Sequence, residues 1–191
     1  MSFKRKIYNE NEVQGKDFDD ITFESCKFVG LTFKFTNFNN CTFDTCDFSE
    51  SIFESISFSG CKFPGTKLSF LDFGNCSIIN CDFAEAVAEN CIFQKLKLGS
   101  KSEKRNFDLR SSSFEKSDLA GSIFLMCNLE KVNFKSANLE VVIFEKCNLK
   151  KTDFTESKTA GAGFTNCNIK ETLLDMNGFI DFGISHGFKL Q

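Results

Sequence analysis

Residues 18–63 read FDDITFESCKFVGLTFKFTNFNNCTFDTCDFSESIFESISFSGCKF, with a phenylalanine at every fifth position from Phe18 to Phe63. A period of five is neither the 3.6 of an α-helix nor the 2 of a half-buried strand, so it marks a short structural repeat. Outward from this stretch the column runs on through Leu68, Phe73, Ile78, Phe83, Ala88, Phe93 and Leu98. After a one-residue phase shift it resumes at Leu109 and continues every five residues to Leu174. Of these 31 positions 29 are Phe, Leu or Ile, and only Ala88 and Thr159 depart. The repeat accounts for the composition, in which 191 residues hold 26 Phe but one Tyr, one Pro and no Trp.

Two residues before each centre lies a second column that contains all ten cysteines: Cys26, Cys41, Cys46, Cys61, Cys76, Cys81, Cys91, Cys127, Cys147 and Cys167. Its other members are Ser, Thr, Ala, Val, Ile or Leu, broken only by Lys16 and Phe107. The remaining three positions of each five carry most of the Asp, Glu, Lys and Asn, so two columns face in and three face out. A coil with five residues per side and 20 per turn puts every fourth repeat above its predecessor. Backbone bonds then run between coils as in parallel strands about 4.8 Å apart. The expected fold is all-β, a right-handed quadrilateral parallel β-helix over residues 16–174, with cysteine serving as a small hydrophobe beside the large centres.

Charge and chemistry narrow the function. A net charge of −3 disfavours direct nucleic-acid binding through a basic face. No apolar run approaches the ~20 residues of a membrane span, and the N-terminus MSFKRKIYNENEV has no apolar signal stretch, so no membrane association and a cytoplasmic location are expected. No CxxC occurs and the one histidine, His186, is remote from every cysteine, so no metal, no cofactor and no catalytic residue is expected. Cysteines stacked one turn apart point the same way and do not converge on an ion.

Runs such as CDFSE, SDLAG, CNLEK, ANLEV, CNLKK and TDFTE carry a small residue, Asp or Asn, Leu or Phe, and two variable residues. In this the chain resembles the pentapeptide repeat proteins, a family whose fold serves many functions. The repeat is interrupted by GSKSEKRN at 99–106, read as a bulge of about six residues. Keeping it in the coil would point Glu103 or Lys104 into the core. Ser100, Lys101, Ser102, Glu103, Lys104 and Arg105 are thus either a tolerated insertion or a partner-contact loop.

The ends narrow the likeness. Residues 1–15 are expected to cap the N-terminal end. From 175 to 191 the pattern turns helical, with Met176, Phe179, Ile180 and Ile184 on one stripe, Gly187 at a helix C-cap, and Phe188 and Leu190 alternating as in a short strand. These six apolar residues form a candidate dimer interface or an intramolecular cap for the solenoid end. Leu174-Asp175 followed by Gly187-Phe188-Lys189-Leu190, with Val13, Gly15, Thr22, Phe23, Cys26, Phe28 and Gly30 at the other end, resembles the quinolone-resistance (Qnr-type) members. That resemblance implies a non-enzymatic homodimeric rod that binds DNA gyrase or topoisomerase IV and protects it from quinolones by imitating DNA. The candidate DNA-mimic surface is Asp17, Asp19, Asp20, Glu24, Asp44, Asp47, Glu50 and Glu54, interrupted by Lys27, Lys34, Lys62 and Lys67. The alternative is an interaction scaffold, or an immunity or regulatory protein, with another protein partner.

Overall fold

The computed structural model describes residues 1–95, 107–110 and 112–191. The chain winds into a right-handed quadrilateral β-solenoid of about eight turns, closed at its C-terminal end by one helix. Strand pairs are parallel and stand 20 residues apart, as in Phe3↔Phe23, Phe23↔Phe43 and Phe38↔Phe58. The longest pair, Thr32–Asn39 with Ile52–Ser59, carries the backbone around a corner without leaving the ladder.

Four columns of centres result, one per side. The first runs through Phe3, Phe23, Phe43, Phe63, Phe83, Phe114, Phe134 and Phe154. The second holds Tyr8, Phe28, Phe48, Leu68, Ala88, Leu119, Leu139 and Thr159. The third is Val13, Phe33, Phe53, Phe73, Phe93, Phe124, Phe144 and Phe164. The fourth is Phe18, Phe38, Phe58, Ile78, Leu109, Leu129, Leu149 and Ile169. Stacking along a column follows from the strand spacing, which is close to the thickness at which offset rings attract. Phe63 and Phe83 lie 4.6 Å apart at 1°, and Phe93 and Phe124 4.6 Å apart at 3°. Around a coil the rings meet edge to face, as Phe23 and Phe28 do at 5.5 Å and 77°. Below Phe63 the second and fourth sides change from Phe to smaller residues, so each later turn fills its bore with two rings and two aliphatic or small centres.

The small column also donates hydrogen bonds. Cys61 Sγ reaches the Phe38 carbonyl at 3.3 Å, Cys91 Sγ the Leu68 carbonyl at 3.0 Å and Cys127 Sγ the Phe93 carbonyl at 3.1 Å. Ser51 Oγ and Thr152 Oγ1 make the same contact at 2.6 and 2.7 Å. The position therefore selects a small side chain with a donor, which explains why Cys, Ser and Thr interchange there. Nine of the ten cysteines are buried; Cys167, in the last coil, is partly exposed.

Most corners sit in the left-handed region, with φ near +50 to +70° at residues such as Asn40, Asn80 and Glu85 and at Gly30 and Gly65. A non-glycine residue pays about 1 kcal/mol or more for this. Glu85 (φ 62) shares its corner column with Gly65 (φ 61). The Glu85→Gly protein is expected to gain about 0.5–1 kcal/mol in urea unfolding, the relief of φ outweighing the added unfolded-state entropy.

The register corrects two expectations. Phe93 pairs with Phe124 and Asp82 with Ser113, 31 residues apart where one turn is 20, so the coil closes over eleven extra residues and not about six. The centre that follows Phe93 in the packed column order is consequently Leu109, and Leu98 falls outside the described residues. The expected strand through Phe188 and Leu190 is not formed; the chain past Gly187 is irregular.

Residues 1–15, expected as a cap, stack as the first coil: Phe3 lies on Phe23 and Tyr8 on Phe28 at 4.6 Å. The short helix α1 (Glu10–Val13) replaces a strand on the third side and buries Val13. Lys6 closes the N-terminal end, its ammonium 4.3 Å from the Tyr8 ring centre and 2.9 Å from Glu12. At the other end the helix α2 (Met176–Ser185) begins at Asp175, whose carboxylate accepts from the Gly178 and Glu156 amides.

Candidate functional site

Among the described residues no side of the rod encloses a cleft lined by convergent acid–base groups, and the candidate surfaces are its outer sides, its ends and the flanks of the insertion. The eight acidic residues do not gather on one of them. Asp17 and Asp19 lie on the fourth side and accept from the amides of Asn37 and Asn39 at 2.7 and 2.8 Å. Asp20 turns the next corner, and Glu24 and Asp44 stack in register on the first side. Asp47 belongs to the second side, Glu50 to the following corner and Glu54 to the third side. Two of the charges are answered within the rod, Glu24 by Lys4 at 2.6 Å and Glu54 by Lys34 at 3.1 Å. Asp47 is partly buried, which opposes its ionisation, yet the hydroxyl and amide of Ser49 with Lys67 and Lys27 hold its carboxyl below the ordinary range. The set thus wraps around a corner at Asp17 to Asp44, with three members elsewhere.

The candidate loop Ser100 to Arg105 lies outside the described residues. Its flanks, up to Lys95 and from Phe107, are described. Cys76–Ile79 and Phe107–Asp108 are adjacent levels of the fourth side but do not pair with each other. Lys95 donates instead to the Cys76 carbonyl at 3.3 Å. A groove of about 700 Å³ opens there between Ile78, Ile79 and Asn80 and the next level's Asp108 and Arg110, with Glu130 and Lys131 beyond. Arg110 binds Asp108 through both carboxylate oxygens, 2.7 Å at the shortest, and holds that carboxyl below its usual range against partial burial.

At the C-terminal end the structure divides the helical stripe. Leu174, Gly178 and Phe182 face the solenoid: Phe182 packs 5.6 Å from Phe164 and Asp181 accepts from Thr159 at 2.9 Å. Met176, Phe179 and Ile184 face solvent together with Phe188 and Leu190, while Ile180 is half-buried. The plug residue Phe182 escapes a sequence reading because it sits one helical step off the stripe through Phe179. Its spacing of four from Gly178 and eight from Leu174 is the signal that identifies it. His186 ends α2, its Nδ1 2.9 Å from the Phe182 carbonyl. Among the described residues no three His, Cys, Asp or Glu side chains form a metal-binding group, and no helix is long and apolar enough to cross a membrane.

Two repeat models cover most of the solenoid. Pentapeptide repeats (8 copies) match at 17–54, 26–65 and 43–78, and the pentapeptide repeat region matches at 102–174. No curated protein matches the chain. Among solved structures, trypsin-treated QnrB1, a plasmid-mediated fluoroquinolone resistance protein, is 16% identical and superposes with a TM-score of 0.61, covering 100% of this chain and 99% of its own. Full-length QnrB1 is 15% identical with a TM-score of 0.51 over 98% and 97% of the two chains. HetL, a pentapeptide repeat protein involved in heterocyst differentiation regulation from the cyanobacterium Nostoc, is 16% identical with a TM-score of 0.40 over 92% and 91%.

Proposed function

The chain belongs to the pentapeptide repeat proteins, and from that premise we propose that it is a non-enzymatic homodimeric protein of the cytoplasm that binds DNA gyrase or topoisomerase IV and protects it from quinolones. The observation that carries this reading is architectural. The likeness to QnrB1 runs over the whole of both chains, from the first coil to the end cap. That neighbour is itself a fluoroquinolone resistance protein. A pair of narrow rods suits a groove built for duplex DNA, where phosphate-binding Lys and Arg would meet Asp17, Asp19, Asp20, Glu24 and Asp44, with binding weakened by salt. The exposed apolar face of α2, with Phe188 and Leu190, supplies a contact between two copies.

A second reading is favoured by the dispersal of the acidic residues around the rod and their pairing with Lys4 and Lys34. On it the protein is a scaffold, or an immunity or regulatory partner of another protein, and the rod is not a DNA mimic.

Supercoiling assays separate the two. With gyrase stalled by a fluoroquinolone, the purified protein is expected to restore supercoiling at concentrations that do not inhibit the enzyme alone. Deleting 100–105 should leave the circular dichroism unchanged and cut the protection. Absence of rescue over a full titration with gyrase of the same host would leave the scaffold reading.

A further inference from the structure

Among the described residues, Phe35 and Phe70 are the only aromatic residues with a left-handed backbone, at φ 52 and 66°, and they are 73% and 76% exposed. The same two corner columns hold Gly15, Ser55 and Asn166 on one side and Gly30, Glu50 and Asn90 on the other. A bulky residue in this region is an outlier, and a ring left in water adds nothing to the core. Both costs fall on the same two residues with no offsetting contact inside the rod. Such an outlier points to a role outside it.

The winding places the two rings on one surface. Phe35 stands on one bordering corner of the third side. Ile52, 56% exposed, lies at the middle of that side one level on, and Phe70 on the opposite corner one level further. Five residues of ~3.3 Å across and two levels of ~4.8 Å along separate Phe35 from Phe70 by about 19 Å, with Ile52 on the diagonal between them. Glu50 borders this line on one flank, Asp72 and Glu89 on the other. Lys34 is the only basic residue on these three levels of the side and its corners, and Glu54 binds it at 3.1 Å.

We propose that this diagonal is the docking surface for an amphipathic α-helix of a different protein. Apolar side chains of that helix meet Phe35, Ile52 and Phe70, and Lys or Arg on its flanks meet Glu50, Asp72 and Glu89. The inference holds under either reading of the function above. Backbone pairing decides between a helix and a strand as the occupant. Thr32 pairs with Ile52 and Phe33 with Phe53, and the Phe70 amide donates to the Glu89 carbonyl at 2.8 Å, so this side has no open sheet edge for an added strand. Side-chain packing is what remains, and a helix presents positions i, i+4, i+7 and i+11 as one apolar stripe. At ~1.5 Å per residue, about three and a half turns cover the diagonal. The acidic borders select the sign, because a helix with acidic flanks is repelled.

Fluorescence anisotropy tests this on the whole protein, with a labelled helical peptide carrying Leu at i, i+4, i+7 and i+11, Lys on both flanks and Ala elsewhere. The wild-type protein is expected to bind it, and Phe35→Asn with Phe70→Asn should raise the dissociation constant at least ~10-fold. Asparagine suits the left-handed corner, as at Asn40 and Asn80, so the same double variant should unfold at an unchanged or higher urea concentration. No binding by the wild type, equal binding by the double variant, or equal binding of a peptide with Glu in place of Lys overturns the proposal. A lowered urea midpoint overturns it too, since the rings would then serve the fold. So does a changed oligomeric state of the double variant in sedimentation equilibrium, which would make the surface a contact between copies.

Discussion

Phe134→Ala is expected to lower the unfolding free energy by about 3–5 kcal/mol, read as a shift of the urea midpoint at constant slope. Phe134 is fully buried at mid-rod. Its ring stacks on Phe114 at 5.1 Å and on Phe154 at 5.2 Å and meets Phe124 and Phe144 edge to face at 5.8 and 5.9 Å. Alanine removes the ring from four partners at once. The bore cannot collapse into the space, because inter-coil hydrogen bonds such as Phe134 N–H to the Asp153 carbonyl hold the levels apart. Coils contact only their neighbours, so the loss also weakens coupling between the two halves of the rod. A change below about 1 kcal/mol would contradict the ladder as the source of stability.

The second large effect is alkaline. Burial pushes the thiols of Cys46 and Cys91 up to about 12 from an ordinary value near 9. A folded pKa above the unfolded one stabilises the fold fully below pH 9, and that stabilisation is lost as pH rises toward 12. Each such thiol costs about 1.4 kcal/mol per pH unit in that window. For the two together the slope is about 2.7 kcal/mol per unit, a large part of a typical 5–15 kcal/mol within two to three units. Urea unfolding at pH 7, 8, 9, 10 and 11 should give a plateau followed by a steep fall. Cys61 and Cys147 are pushed up to about 12 as well and steepen the fall further, so Cys91→Ser should remove only its own share, about 1.4 kcal/mol per pH unit, because serine keeps the donor to the Leu68 carbonyl, as Ser51 does to Phe28, without a titrating thiol. An unchanged slope in the serine variant would mean that Cys91 does not control the fall.

Much of this molecule was legible before any coordinates. A strict five-residue period with large centres and small partners admits a four-sided coil, since only that geometry returns equivalent residues to one bore every 20 positions. The burial of nine cysteines and the stacked columns follow from it. The ten cysteines also show where one-dimensional reading stops. Composition marks them as small hydrophobes, whereas the hydrogen bond from nine of them, all but Cys76, to a carbonyl of the previous coil depends on the height of one turn above another.

The remaining features were decided in three dimensions. Residues 1–15 keep the five-residue phase at Phe3, Tyr8 and Val13 but have Met1, Lys6 and Asn11 where small partners stand elsewhere, yet they stack as a coil because Lys6 and α1 close the end around them. The phase shift of one residue in the sequence is a register of 31 in space, because the levels at Phe93 and Phe124 still pair directly. The acidic residues look clustered from Asp17 to Glu54, but five residues turn the chain through one corner, so neighbours in sequence face different directions. The same corner rule gathers Phe35, Ile52, Ile92, Ile123 and Ile143 from across a hundred residues onto one side. Sequence set the period; the winding of 20 residues per turn determined which side chains share a surface.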